Sequence, residues 1–150
     1  MNEINYVIGD ATAPQGEGLK VILHCCNDIG AWGAGFVMAL SRKWDKPEDK
    51  YRAQGYYQLG EVNTVVVEAD VVVANMIGQH GIRKDENGVA PVRYSAIVLG
   101  LLRANKYCID LGATLHCPRF GSDLAGGDWS IIERLIRETT SVPVTIYDLP

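Results

Sequence analysis

Short continuous apolar runs alternate along the chain with stretches in which apolar residues recur every three or four positions. The runs "INYVIGD", "LKVILHCC", "VNTVVVEA", "VVVANMI", "ATLHCPRF" and "VPVTIYDL" have strand length. "LKVILHCC" is almost uninterrupted, the pattern of a strand covered on both faces. Ala69-Asp70 stands between two of the runs and predicts a tight hairpin. In "AGFVMALSRKW", Phe36, Ala39, Leu40 and Lys43 follow helical spacing. "VRYSAIVLGLLRANKYCIDLG" predicts a long helix, with Gly112 where a helix-ending glycine belongs. "KPEDKYRAQGYY" predicts a short helix with Pro47 in its first turn. "WSIIERLIRETT" predicts an amphipathic helix opened by Asp128 as N-cap. "APQGEG" and "HGIRKDENGVAP" carry turn signals and are expected to be loops.

Strands alternating with helices imply an α/β fold, a mixed sheet with helices on both faces. Two glycine-rich loops stand out. Residues 28–35 follow "LHCCN" and carry Gly30, Gly33 and Gly35, and residues 121–127 read "GSDLAGG". Each follows a strand and precedes a helix, so both should rim one crevice at the carboxyl ends of the strands. Such loops offer unpaired amides and the positive end of a helix, which suit a phosphate or pyrophosphate. The spacing does not fit G-x-G-x-x-G, and no Lys-Ser/Thr pair follows either loop. The residues alone leave two readings open, a nucleotide-type ligand or glycines that only make tight turns.

At 150 residues the chain is expected to form one domain, 1–150, large enough to bury a core. A composition of 47% hydrophobic and 21% charged residues is that of a folded globular chain. The net charge of -4 announces no basic face, so a long nucleic-acid duplex is not an expected partner. No apolar run reaches the roughly 18 residues of a membrane span. "MNEINYVIGD" lacks the charged region and apolar core of a signal peptide, and a cytoplasmic location is expected. Cys25 and Cys26 are adjacent in a strand-like run and should face opposite sides; with Cys108 and Cys117 they read as buried free thiols. His24, His80 and His116 are far apart and no Cys/His spacing matches a zinc site, so neither a metal nor a cofactor is expected.

"YVIGDAT", "VILHCCNDIGAWGAGFVMALSRKW", "VANMIGQ" and "PRFGSDLAGGDW" together resemble the macrodomain family of ADP-ribose-binding proteins, in motif order and over nearly the whole chain. The nearest branch looks like that of the ADP-ribose glycohydrolases and ADP-ribose-1″-phosphate phosphatases. The resemblance implies a three-layer α/β/α fold with a mixed central sheet. It implies ADP-ribose or an ADP-ribosylated molecule as partner. Asp10 matches the acid that accepts a hydrogen bond from the adenine amino group, and Ala11 lies beside the base. Asn27 matches a contact to the distal ribose. Gly33, Ala34, Gly35 and Phe36 match the first phosphate-side loop, with Trp32 as its wall. Pro118 and Phe120 lead into the second loop, where Gly121, Ser122, Asp123, Leu124, Ala125 and Gly126 wrap the pyrophosphate. Tyr147 and Leu149 lie near adenine. Gly78 closes the "NMIG" strand, and Gln79 and His80 follow it, where the ligand's distal end would reach.

Two departures from the branch bear on mechanism. Its covalent mechanism uses a lysine just after the central strand, where this chain has Gln79 and His80. It also carries an acid at the position of Ala125; here an acid, Asp123, stands two positions earlier. The lysine mechanism is therefore excluded. What remains is a metal-free hydrolase of an ADP-ribosyl linkage or of ADP-ribose-1″-phosphate. Asn27 would orient the substrate and His24 or Asp123 would act as base. The alternative is a reader that binds without turnover. His24 reads equally as a packed core histidine, Asn27 as an Asx-turn and Trp32 as a hydrophobic plug. Trp129 reads as packing at a helix start, and Gln79 and His80 as plain surface residues. Asp123 is expected to turn partly outward while its amide serves the loop.

Overall fold

A computed structural model describes residues 1–150. The elements follow the order β1 (Ile4–Ile8), β2 (Lys20–Asn27), α1 (Phe36–Lys43), α2 (Lys46–Gln54), β3 (Val62–Glu68), β4 (Val71–Gln79), α3 (Tyr94–Leu111), β5 (Thr114–Cys117), α4 (Trp129–Thr139) and β6 (Val144–Asp148). The strands form one six-stranded sheet in the order β1-β6-β5-β2-β4-β3. All neighbours are parallel except β3, which pairs antiparallel with β4 across the turn at Ala69-Asp70. This is the mixed sheet the alternation of patterns predicts.

The uninterrupted apolar run of β2 has its explanation in two cores. Val21 and Leu23 join Ile97, Leu101 and Cys108 of α3 and Ile132 and Ile136 of α4. Ile22 and Cys26 join Val37 and Leu40 of α1 and Tyr51 of α2 on the opposite face. Successive side chains of a strand point to opposite faces, so a strand between two helical layers must be apolar at every position. Cys25 and Cys26 part to the two faces in the same way. Burial pushes the Cys25 thiol up to about 12, which leaves it protonated and unreactive.

Helix ends follow local chemistry. Asp128 caps α4 by accepting the Ser130 amide at 2.9 Å, and Gly112 ends α3 in the left-handed region. α1 begins at Phe36, two residues later than the apolar pattern suggests. The cause is Gly35, whose φ of 82° and ψ of -148° lie in a region open essentially to glycine alone. β5 ends at Cys117, short of the predicted "ATLHCPRF", because Pro118 has no N–H to continue the ladder.

Gly100 lies in the middle of α3, where nothing in the sequence distinguishes it from a weak helix residue. A Cβ built there would collide with the thioether of fully buried Met76 on β4. Gly100→Val should therefore destabilise the chain by about 1–3 kcal/mol, because the helix-propensity gain on replacing glycine is below about 1 kcal/mol. Leu102→Ala, at an exposed position of the same helix, should shift stability by no more than about 0.5 kcal/mol. Urea-denaturation midpoints of the two variants check this; equal midpoints would contradict the packing role.

Candidate functional site

A crevice of about 840 Å³ opens across the carboxyl ends of the parallel strands. Strand order fixes the order of its lining. Gly9, Asp10 and Ala11 follow β1, and Tyr147, Asp148 and Leu149 close β6. Next come residues between Pro118 and Ala125 after β5, Ser122 excepted, then Asn27, Ala31 and Gly33 to Phe36 after β2, and last Gln79 and Ile82 after β4. Both glycine loops line this one crevice. They also touch: a Cβ on Gly35 would lie 3.3 Å from the Leu124 side chain.

The first loop is held by Asn27. Its Oδ1 accepts the amides of Ile29 and Ala31 at 3.0 Å each, and its Nδ2 donates to the Ala31 carbonyl at 2.6 Å. The Tyr51 hydroxyl accepts the Gly30 amide at 3.1 Å and lies 2.7 Å from the Asn27 carbonyl and 2.8 Å from Oδ1. The amides from Trp32 to Val37, ending in the first turn of α1, then have no partner in the chain. In the second loop the amides of Gly121 to Ala125 are likewise unpaired, while those of Gly126 and Gly127 close turns onto Asp123 and Gly121. Unpaired amides in a loop and at a helix start form an anion-binding surface. No lysine lines the crevice.

At the β1 end, Asp10 Oδ1 accepts both the amide and the hydroxyl of Thr12 at 2.8 Å, and Oδ2 makes no hydrogen bond. Tyr147 is buried beside it, accepting the Gln15 amide at 2.8 Å and meeting His116 Nδ1 at 2.7 Å. At the β4 end the ladder slips between Cys26 and Asn27, which sets Asn27 beside Gln79. Asp28 ties the two strand ends together. Its Oδ2 meets His80 Nδ1 at 2.7 Å and its Oδ1 accepts the Gly81 amide at 2.8 Å. Burial raises the Asp28 carboxyl, but the bonds from His80 and Gly81 outweigh it and hold the group below the ordinary carboxylate range.

Of the residues predicted for the site, Asp10, Ala11, His24, Asn27, Gly33, Ala34, Gly35, Phe36, Gln79, Pro118, Phe120, Gly121, Asp123, Leu124, Ala125, Tyr147 and Leu149 line the crevice. Trp32 does not: its ring is buried among Ile22, Leu40 and Tyr51 and its Nε1 donates to Ser41, so it is the plug and not the wall. Gly78 is a packing glycine, where a Cβ would come within 2.6 Å of both Cys25 and Ile97. The Ser122 hydroxyl donates to the Arg119 carbonyl, outside the lining. Gly126 faces Ala90 and is needed for its turn, with φ of 74°. Gly33 is open to solvent with no positive φ, so the conformational demand sits at Gly35.

His24 carries a second correction. It is 1% exposed, stands edge-on to Trp32, and lies with Nε2 2.5 Å from Asn75 Oδ1. Asn75 Nδ2 donates to Pro47 O, which assigns Oδ1 as acceptor and puts the imidazole proton on Nε2. Burial lowers its pKa to about 4. The ring is thus a neutral core group, and its place in the wall does not make it a base. Asp123 is exposed, lines the crevice, and makes no hydrogen bond or ion pair through its carboxylate.

Three charged residues of the lining carried no sequence signal. Arg119 forms a two-pronged pair with Asp148, at 2.6 and 3.0 Å, and lies over the Tyr6 and Trp129 rings. Arg42, from the last turn of α1, has no partner. A helix turn and an "xRx" tripeptide look the same whether or not they face a cleft.

No family model matches the chain. A macrodomain protein of Streptomyces coelicolor is 48% identical, with 97% of this chain and 99% of that one covered and a TM-score of 0.84. A Bacteroides thetaiotaomicron protein of unknown function is 50% identical, with 97% and 98% covered and a TM-score of 0.95. The mouse chromodomain-helicase-DNA-binding protein 1-like is 33% identical over 98% of this chain. The chain spans only 18% of that curated relative and 15% of its Danio rerio counterpart. The fold extends to a Thermosipho africanus DarTG solved with ADP-ribose, 16% identical over 88% of this chain and 38% of that one, with a TM-score of 0.70. The chain belongs to the macrodomain family.

The neutral core histidines should make the fold acid-labile. An unfolded imidazole titrates near 6.5, whereas burial holds His24 near 4, and burial with the nearby Lys20 charge holds His116 near 4. The unfolded chain therefore takes up these protons first. The stability involved is complete above pH 6.5 and is lost as pH falls through about 4, on the order of 3 kcal/mol for His24. Urea midpoints should fall steadily over that window, and His24→Gln should flatten the fall while lowering stability at pH 7. An unchanged slope in His24→Gln and His116→Gln would contradict this.

Proposed function

We propose that the chain is an ADP-ribose-binding module, with the 1–150 segment a single macrodomain and the crevice its ligand site. The supporting observation is the pair of unpaired amide runs, 32–37 and 121–125, on two touching loops with the free Asp10 oxygen at one end of the same crevice. A diphosphate bridging the loops, with adenine toward Asp10 and Tyr147, leaves the distal ribose toward Asn27 and Gln79. The volume of about 840 Å³ is of the size expected for a ligand of this class. The DarTG complex supports ADP-ribose as the ligand through fold likeness.

The finer reading is a hydrolase of an ADP-ribose derivative. Water would bond to C1″ as the C1″–O bond breaks, the leaving group departing with the bridging oxygen and the water proton passing to a base. Asp123 is the base candidate, as the one unpaired crevice carboxylate on a phosphate-side loop; Asp10 is at the far end and Asp148 is paired with Arg119. The reader alternative draws on a specific observation: His24 is a neutral core ring, and the Asn27 carboxamide is largely spent on its own loop.

Binding is tested by thermal shift. At ADP-ribose near 100 times Kd the stabilisation should be about 2.7 kcal/mol. Gly35→Val should abolish it, because a branched side chain is incompatible with φ of 82° and ψ of -148°. No shift at millimolar ADP-ribose would overturn the proposal. Incubation with glutamate-linked ADP-ribosylated protein and with ADP-ribose-1″-phosphate then separates hydrolase from reader. A hydrolase through Asp123 loses about 10²–10⁴ in turnover in Asp123→Asn with affinity kept; no product from either substrate favours the reader.

A further inference from the structure

The proposed adenine end holds a donor without a protein partner that the family resemblance does not account for. Arg42 lines the crevice, yet its guanidinium makes no hydrogen bond, ion pair or ring contact. It is the only lining cation so placed, since Arg119 is committed to Asp148. Its position along the crevice follows from its neighbour. Lys43 Nζ donates to the Thr12 carbonyl at 2.5 Å, so the last turn of α1 lies within a lysine side chain's reach of the turn that follows β1. That turn is rigid, because Thr12 is bonded twice to Asp10 Oδ1. Arg42 therefore stands at the Asp10 end of the crevice, away from the distal-ribose end.

Three polar groups are unspent there: Asp10 Oδ2, which only accepts, the Ala11 amide, which only donates, and the Arg42 guanidinium, which only donates. Adenine presents the complement. Its exocyclic amino group donates, and a ring nitrogen that accepts lies on each side of it, N1 and N7. Asp10 and Ala11 are consecutive residues, so their acceptor and donor address adjacent positions of one base edge. Arg42 comes from the facing helix and addresses the other side. Resting on the ADP-ribose reading, we infer that Arg42 is a specificity-determining residue that donates to adenine N7, while the Ala11 amide serves N1. A guanidinium suits this role: it stays charged at all working pH and projects several donors from one plane.

The test measures affinity by calorimetry for ADP-ribose and its 7-deaza-adenine and 1-deaza-adenine analogues, with the wild type, Arg42→Gln and Arg42→Lys. Arg42 is exposed, so the fold is expected to survive. The wild type should lose roughly tenfold on the 7-deaza analogue, the scale of one partly solvated charge-assisted bond. Arg42→Gln should lose roughly the same on ADP-ribose and then fail to distinguish ADP-ribose from the 7-deaza analogue, while still discriminating against the 1-deaza analogue. Arg42→Lys should recover part of the N7 preference. A wild type that binds all three equally, or an Arg42→Gln variant that keeps its N7 preference, overturns the inference. An equal loss for every ligand in Arg42→Gln also overturns it, since that is the signature of a remote charge on the diphosphate. A wild type that binds none of the ligands overturns the ADP-ribose reading itself.

Discussion

The crevice depends on how one carboxamide is spent. Asn27 stands where β2 slips against β4, and its Oδ1 and Nδ2 absorb the polar backbone groups of Ile29 and Ala31. With Tyr51 taking the Gly30 amide, the loop is pinned at its start, and the amides from Trp32 onward are left without partners. A loop with unpaired amides and no such anchor would fold back and satisfy itself. Trp32 then drives its ring into the core beside Tyr51 and His24, so the loop cannot lift away from the sheet. Rigidity is bought from the core, and open hydrogen-bonding capacity is kept at the surface. That combination lowers the ordering cost of binding an anion.

Charge along the crevice is arranged for a ligand whose ends differ. The middle carries backbone dipoles and one free carboxylate, Asp123. The β1 and β6 end carries a compensated pair, Arg119 with Asp148, whose cation also lies over Tyr6 and Trp129. Pairing removes both charges from competition for the ligand, leaving Asp10 and Arg42 free to act through direction, as acceptor and donor respectively. The Asp28–His80 contact holds the far end by fastening the β4 end to the first loop. The site is therefore assembled from the ends of several strands, and each anchor belongs to a different segment of the chain.

Much of the fold was legible because apolar periodicity reports burial directly. β2, α3 and α4 follow from their patterns, as does the mixed sheet. The two glycine loops could be placed on one crevice because strands that are parallel end on one side. Other features were not legible, since glycine and tryptophan are ambiguous by themselves. Gly33, Gly35, Gly78, Gly100 and Gly126 look alike in sequence. In the structure they are respectively open, conformationally strained, packed on Cys25, packed on Met76, and turn-forming. Trp32 was placed in the wall because its neighbours are there, but a large ring between small residues finds the nearest core. His24 shows the same limit: its partner Asn75 lies 51 positions away on β4, and that distant bond decides the ring's state. Arg42 was missed because a helix surface records nothing of the cleft it faces.

The central claim is one crevice with one polarity. It is tested most directly by a crystal structure of the chain with ADP-ribose. The account predicts adenine beside Asp10 and Tyr147, the diphosphate between the amides of 32–37 and 121–125, and the distal ribose at Asn27 and Gln79. A ligand bound in the reverse direction, or with its diphosphate away from both loops, would contradict it.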